Sequence, residues 1–171
     1  MPVTINGTSG LVTATSYAGA GGDLTGITTG KVLQVVEKRL NAGFSTTSTS
    51  FVDVTSLSQA ITMTNASNKV LIEAPLWISH SATATYVFLS IYKGSTQLQQ
   101  VGMMPNESYA FSNSGKWTFM SYIDTPGTGT HTYNIKTHVT TGTGKISIGG
   151  NNSTHEAEKP DMVLRLTEIA A

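Results

Sequence analysis

The sequence has no cysteine and little charge. Without cysteine, disulfide bridges, thiolate zinc sites and cysteine nucleophiles are all excluded. Charged residues make up 12% of the 171 residues, and ten cations balance ten anions, so the formal net charge is zero. A protein that binds nucleic acid or an anionic membrane surface needs an excess of positive charge on one face. The composition therefore predicts no nucleic-acid partner and no binding to a membrane surface.

Long hydrophobic runs are also missing. No apolar segment reaches the roughly 18 residues that a transmembrane helix requires. The first residues, 1–7, lack both the basic and the apolar region of a secretory signal. We therefore expect no membrane insertion and synthesis in a cytoplasm.

Residues 1–30 differ in composition from the rest of the chain, with a glycine-rich run at 18–22. Glycine loses much conformational entropy on ordering and offers little surface for packing, so we expect an extended N-terminal arm. Two alternatives stay open: a leader without a partner, and an arm that docks on another protein. In the second, the docking residues are the isolated hydrophobic residues Leu11, Val12, Leu24 and Ile27.

From residue 31 onward, apolar and polar residues alternate with a period of two. About eight to ten short segments of this kind are separated by turn residues, of which Gly94-Ser95 is the clearest hairpin signal. No segment shows helical periodicity with caps. The pattern predicts an all-β domain over residues 31–171, an antiparallel β-sandwich with jelly-roll-like topology. Pro75 lies inside one predicted strand and indicates a sheet edge or a bulge there.

Known catalytic motifs fail when they are checked residue by residue. Residues 26–32 resemble a phosphate-binding loop, but three residues separate the glycines instead of four, and Val32 occupies the position of the magnesium-binding hydroxyl. No Gly-x-Ser-x-Gly nucleophile motif occurs, and nothing in the sequence pairs two carboxylates across a cleft. The sequence predicts no catalytic residue, no cofactor-binding residue and no enzymatic activity.

The histidines do not have the spacing of a metal site. His131 and His138 are seven residues apart on one predicted strand, so their side chains point to opposite faces. His155 and Glu156 lie in a polar loop, where a metal would need further ligands from elsewhere and a solvated loop is the favoured interpretation. We expect no metal site.

Aromatic residues occur in pairs at a spacing of two. Tyr86 and Phe88 share one face of a predicted strand, and Trp117 and Phe119 share a face of another, which favours a core or a subunit interface over a sugar-binding platform. Tyr109 and Phe111 lie in a long predicted loop, residues 102–114. We expect these two residues to cover an edge of the core or to contact a partner.

Four segments resemble a domain of bacteriophage structural proteins, especially those of phages that infect cyanobacteria and marine bacteria. The segments are 24–36, 47–54, 67–72 and 166–170, and the resemblance extends over residues 24–171. It implies a virion surface protein made in the cytoplasm of a bacterial host, either a tail-fibre component or a capsid decoration (cement) protein, and often a homotrimer. It implies no catalytic residues.

These observations lead to one main hypothesis and one alternative. In the first, the chain forms a trimeric surface knob, and its N-terminal arm attaches it to other virion proteins of the capsid or tail. Near-zero net charge favours such self-association. The absence of shaft repeats favours a decoration protein over a complete tail fibre. The alternative is a carbohydrate-binding module for a host-surface glycan that uses loop aromatics such as Tyr109.

Overall fold

The architecture is described from a computed structural model, in which residues 30–40, 43–80, 86–103, 116–140, 146–148 and 162–171 are described. These segments form ten β-strands in chain order. The strands are β1 (Val32–Leu40), β2 (Phe44–Thr46), β3 (Val52–Met63), β4 (Lys69–His80), β5 (Val87–Lys93), β6 (Thr96–Met103), β7 (Lys116–Asp124), β8 (Gly129–Val139), β9 (Ile146–Ile148) and β10 (Met162–Ile169).

Two antiparallel sheets face each other. In sheet I, β1, β10, β4 and β7 lie in that order, and the short strands β9 and β2 extend the sheet beside the far end of β4. Sheet II has the order β3, β8, β5, β6. Successive longer strands alternate between the sheets, apart from the β5–β6 hairpin. This interleaving of the eight longer strands is jelly-roll topology, so the predicted antiparallel β-sandwich is confirmed.

One apolar core lies between the sheets. Because successive side chains of a strand point to opposite faces, every second residue of β4 is buried, from Val70 to Ile78. Full burial of an aliphatic side chain of this size stabilises the fold by about 1.5–3 kcal/mol. Fully buried aliphatic residues of the core include Ile72, Leu76 and Leu166 of sheet I and Leu57, Leu89 and Ile135 of sheet II.

Pro75 corrects one expectation, because its strand is central rather than at an edge. Strand β4 pairs with β7 on one side from Val70 to Ile78, and with β10 and β9 on the other. The pairing with β10 ends at Glu73 and the pairing with β9 begins at Ile78, so Pro75 lies in a gap between two partners. A residue without an N–H is tolerated there because no ladder hydrogen bond is required of it. In the same gap, the Trp77 backbone N–H donates to the Met162 sulfur at 2.6 Å.

Candidate functional site

The predicted docking residues cannot be placed. Leu11, Val12, Leu24 and Ile27, and likewise Tyr109 and Phe111, lie outside the described residues. The loop with His155 and Glu156 lies outside them too.

Carboxylates are candidate groups for general acid–base catalysis. Glu168 is fully buried, and its two oxygens accept hydrogen bonds from the Gln34 amide at 2.6 Å, the Asn68 amide at 2.7 Å, and the Thr64 N–H and hydroxyl at 2.8 Å each. Burial raises the pKa of Glu168, but these donors outweigh it and lower the pKa to about 2. A carboxylate that stays ionised and fully hydrogen-bonded is unsuited to proton transfer near neutral pH. Its geometry is that of a structural residue that joins β10 to β1 and to the β3–β4 turn.

Asp124 has a comparable structural role at one end of the sandwich. Its Oδ2 accepts a hydrogen bond from the buried Tyr133 hydroxyl at 2.8 Å and lies 2.7 Å from the Lys93 ammonium. Burial raises the pKa of Asp124, but the Lys93 and Tyr133 hydrogen bonds bring it below its ordinary value. Burial and the adjacent carboxylate raise the pKa of Tyr133. The cluster ties β7 of sheet I to β5 and β8 of sheet II.

Within the described residues, a set of apolar side chains lies exposed on the outer face of sheet I. Trp117, Phe119 and Ile123 of β7 are 52%, 61% and 56% exposed. They alternate with Met120 and the other inward-facing residues of the strand, so all three project from the same side. Large side chains that remain half exposed at this spacing are typical of a surface that a partner covers.

Strand β4 supplies the second half of this surface. Cross-strand register places Leu71 opposite Ile123, Pro75 opposite Phe119, and Trp77 opposite Trp117. The two indole rings meet edge to face, with centroids 5.6 Å apart. Such cross-strand pairs fix the orientation of both side chains. We call these six residues of β4 and β7 the apolar ladder.

A polar pair interrupts the apolar ladder at its centre. Glu73 of β4 lies opposite Ser121 of β7, between the Leu71–Ile123 and Pro75–Phe119 pairs. Within the described residues, Glu73 has neither an ion pair nor a hydrogen bond from its side chain. In contrast, Glu37 of β1 lies 3.0 Å from the guanidinium of Arg39 and 3.4 Å from that of Arg165. Arg165 of β10 lies directly opposite Glu73 in the sheet, so a cation of the same chain is next to this carboxylate.

The outer face of sheet II carries a second aromatic cluster. The ring of Phe88 stacks on that of His138 with centroids 4.8 Å apart, and the ring of Phe51 meets the same histidine edge to face at 4.4 Å. Tyr92 contacts Phe51 at 5.8 Å and lies beneath the Lys136 ammonium at 4.8 Å. These rings cover part of one another's faces, so little aromatic surface is left for a ligand to stack on. The cluster contributes mainly to the packing of this face.

The aromatic pairs singled out in the sequence both lie outside the core. Trp117 and Phe119 do share a face, but that face is the exposed outer side of sheet I, so the core alternative was wrong for this pair. Phe88 lies on the outer face of sheet II, and Tyr86 is also exposed. The spacing of two shows that two residues share a face but does not say which face is buried, because β7 carries apolar residues on both sides.

Within the described ranges, no group of three or more metal-ligating side chains occurs. In the same ranges, no helix is long and apolar enough to span a membrane.

Comparison with known proteins places the chain in no family. No protein-family model matches it, and no curated protein sequence matches it. Among solved structures, it is similar to the protein of infectious bursal virus derived T=1 particles, with a TM-score of 0.44 and 9% identity, over 81% of this chain and 36% of that one. It is also similar to VP2 of infectious bursal disease virus in a subviral particle, with a TM-score of 0.43 and 10% identity, over 81% and 37%.

A further similar structure is that of infectious bursal disease virus, Gt strain, with a TM-score of 0.41 and 11% identity, over 84% of this chain and 39% of that one. The present chain thus spans less than two fifths of the length of these proteins. At this level of similarity, the alignments do not indicate a shared function.

Proposed function

We propose that the chain is a non-enzymatic structural protein of a bacteriophage particle, located in the virion. It forms a trimeric surface knob, and its N-terminal arm attaches it to other virion proteins. The observation that carries this proposal is the apolar ladder, whose three β7 side chains are more than half exposed. A jelly-roll domain with such a surface is suited to assembly with copies of itself or with neighbouring subunits.

The charge of the chain supports the same function. Ten cations balance ten anions, so copies of the chain do not repel one another through net charge. The resemblance of residues 24–171 to phage structural proteins supports a capsid decoration protein or a short tail-fibre component. In both cases, the N-terminal arm becomes ordered on the particle, with Leu11, Val12, Leu24 and Ile27 as its anchoring residues.

Light scattering of the purified protein tests the assembly. We expect a mass three times the chain mass of 18.0 kDa. Phe119→Ser should shift it to the monomer mass, because this change removes the most exposed ring of the apolar ladder. Thr96→Ser, on the β5–β6 hairpin, is the matched control and should leave the mass unchanged. A monomer at micromolar concentration for the unmodified chain would contradict the trimer.

Imaging of phage particles that carry the labelled protein tests the virion location and separates head from tail. Label on the capsid surface would favour the decoration protein, and label on the tail would favour the fibre component. Absence of label from purified particles would overturn the virion proposal. Binding to a glycan array that is lost in Tyr109→Ala would favour the carbohydrate-binding alternative instead.

A further inference from the structure

The outer face of sheet I extends beyond the apolar ladder to β10 and β1. Its outward side chains form levels across the four strands, because residues that are opposite in one pairing continue into the next. One level consists of Val35 of β1, Thr167 of β10, Leu71 of β4 and Ile123 of β7. Val35 and Ile123, at the two sides of the sheet, are 52% and 56% exposed. The apolar surface therefore spans the whole sheet and not only β4 and β7.

The next level across the same four strands is charged. Glu37 of β1, Arg165 of β10 and Glu73 of β4 lie side by side, followed by Ser121 of β7. The Glu37 carboxylate lies 3.4 Å from the Arg165 guanidinium and 3.0 Å from that of Arg39. Two carboxylates and two guanidinium groups thus balance within one chain. We call the level of Glu37, Arg165, Glu73 and Ser121 the charged row.

This balance of charge limits what can cover the outer face of sheet I. A strongly charged partner would find no net charge to bind, and a purely apolar partner would remove water from four ionised groups without replacing it. The apolar residues on either side of the charged row require an apolar surface opposite them. A partner that fits has apolar levels and a balanced row of charges at the same spacing, which is the composition of the face itself.

The order of signs in the charged row selects the direction of a symmetry axis. A two-fold axis along the row, across the strands, would place Glu37 over Glu37 and Arg165 over Arg165 of the second copy, which like-charge repulsion disfavours. An axis parallel to the strands keeps each level at the same height and turns the β7 side of one copy towards the β1 side of the next. Around a three-fold axis of this direction, Arg165 and Glu73 of the three copies alternate in sign.

We propose that the outer face of sheet I in each copy faces the three-fold axis of the trimer, with the strands parallel to that axis. Each face then contacts the same face of its two neighbours. The face is close to the required size, because four strands about 5 Å apart and about 30 Å long give on the order of 600 Å² of sheet, against about 800 Å² per partner in a stable interface. The inference rests on the proposed trimer and names the surface and the axis direction that build it.

Thiol labelling tests which surface the trimer buries, because the chain has no cysteine of its own. Val35→Cys and Ser121→Cys place a thiol near either side of the face without removing a charge or a residue of the apolar ladder. In the trimer, both should react with a maleimide about tenfold more slowly than in the monomeric Phe119→Ser background, because burial excludes the reagent. Thr96→Cys, on the β5–β6 hairpin of sheet II, is the control and should react equally fast in both.

The outcomes of this labelling separate the inference from the proposed function. A trimer in which either thiol keeps its monomer rate would overturn the inference and leave the proposed function intact. Protection of Ser121→Cys alone would do so by indicating a contact through β7 and its edge. A protein that is a monomer in solution and absent from particles would refute both.

Cross-linking tests the direction of the axis. Val35→Cys and Ile123→Cys lie at one level on the two sides of the sheet, so a short bismaleimide should link the two variants when they are mixed. Val163→Cys lies two levels away from Ile123, about 13 Å along the strand direction, and should not link to Ile123→Cys. Links between different levels, with none within one level, would overturn the proposed axis.

Substitution of Arg165 tests the charged row without cysteine chemistry. Arg165→Met leaves Glu37 with Arg39 but removes the cation beside Glu73, so the trimer association constant should fall about tenfold or more. Adding Glu73→Gln in the same chain should restore association, because no unbalanced carboxylate is then buried. A folded Arg165→Met chain that associates as well as the unmodified chain would overturn the burial of this row. Failure of Glu73→Gln to restore association, with an unchanged circular dichroism spectrum, would overturn it as well.

Discussion

Glu168, near the end of β10, is a buried carboxylate enclosed by donors from β1 and from the β3–β4 turn. Its pKa falls from an ordinary value of 4.5 to about 2 in the folded chain, so the folded state binds this proton less tightly than the unfolded state does. The ionised carboxylate therefore stabilises the fold. That contribution is complete above about pH 4.5 and is lost as the pH falls towards about 2.

Glu168→Gln should lower the free energy of unfolding by about 1–3 kcal/mol at pH 7, because an amide nitrogen then faces donor groups that it cannot satisfy. Urea denaturation between pH 7 and pH 2.5 is the measurement. The unmodified chain should lose stability over the acid range, and the variant should lose less over the same range. Parallel pH profiles for the two proteins would contradict the role assigned to this carboxylate.

On sheet II, the ring of Phe88 in β5 leaves no room for a side chain at Gly102 in the neighbouring strand β6. The two residues are directly opposite each other, and a Cβ atom added at Gly102 would lie 2.8 Å from Cε1 of the Phe88 ring. The ring has little freedom to retreat, because its face stacks on His138 on the other side. Glycine is required here by the close approach of the ring and not by its backbone angles.

Gly102→Ala should therefore destabilise the protein by about 1–3 kcal/mol through overpacking. The same change in a Phe88→Val background should cost less, because the shorter side chain vacates the space, and the two effects should be non-additive. Thermal unfolding of the four proteins of this cycle gives the coupling. Additive effects would show that the ring and the new methyl group do not meet.

Most of the strands follow from the sequence, because the alternation of apolar and polar residues and the turn residues are local signals. The hairpin at Gly94-Ser95 is confirmed, and Gly94 has the positive φ of 57° that its turn requires. The position of Pro75 in a central strand could not be predicted, since it depends on where β10 stops pairing and β9 begins. Those partners are distant in sequence.

The apolar ladder could be predicted only in part. The shared face of Trp117 and Phe119 follows from their spacing, but β7 also has Met120 on its other face, so local pattern does not decide which side meets the core. The pairing of Trp77 with Trp117 joins strands that lie far apart in the sequence. The sequence thus shows that Trp77, Trp117 and Phe119 are large apolar residues, but it does not show that they lie together on one exposed surface.

At the scale of the whole molecule, both ends of the domain meet at one place. The backbone N–H of Gly30 donates to the Ala170 carbonyl at 3.0 Å, and the Ala170 N–H donates to the Lys31 carbonyl at 2.9 Å. Strand β1 then begins at Val32. Residues 1–29 lie outside the described part of the chain, and the proposed function gives them the attachment to the particle.

Removal of residues 1–29 should leave a folded trimer that no longer binds the particle. The melting temperature should stay unchanged, because the deletion spares both hydrogen bonds at Gly30 and Lys31. Calorimetry, light scattering and co-sedimentation with particles that lack the protein measure folding, assembly and attachment separately. Retained co-sedimentation would refute the anchoring role of the arm, and loss of folding would show that the arm belongs to the domain.

A full-length variant with serine at Leu11, Val12, Leu24 and Ile27 separates the effect of these side chains from that of chain length. If their burial against the particle provides the affinity, this variant should fail to co-sediment just as the deletion does, since each buried aliphatic side chain contributes about 1.5–3 kcal/mol. Attachment that survives the serines but not the deletion would assign binding to the backbone of the arm, as in strand addition to a sheet edge.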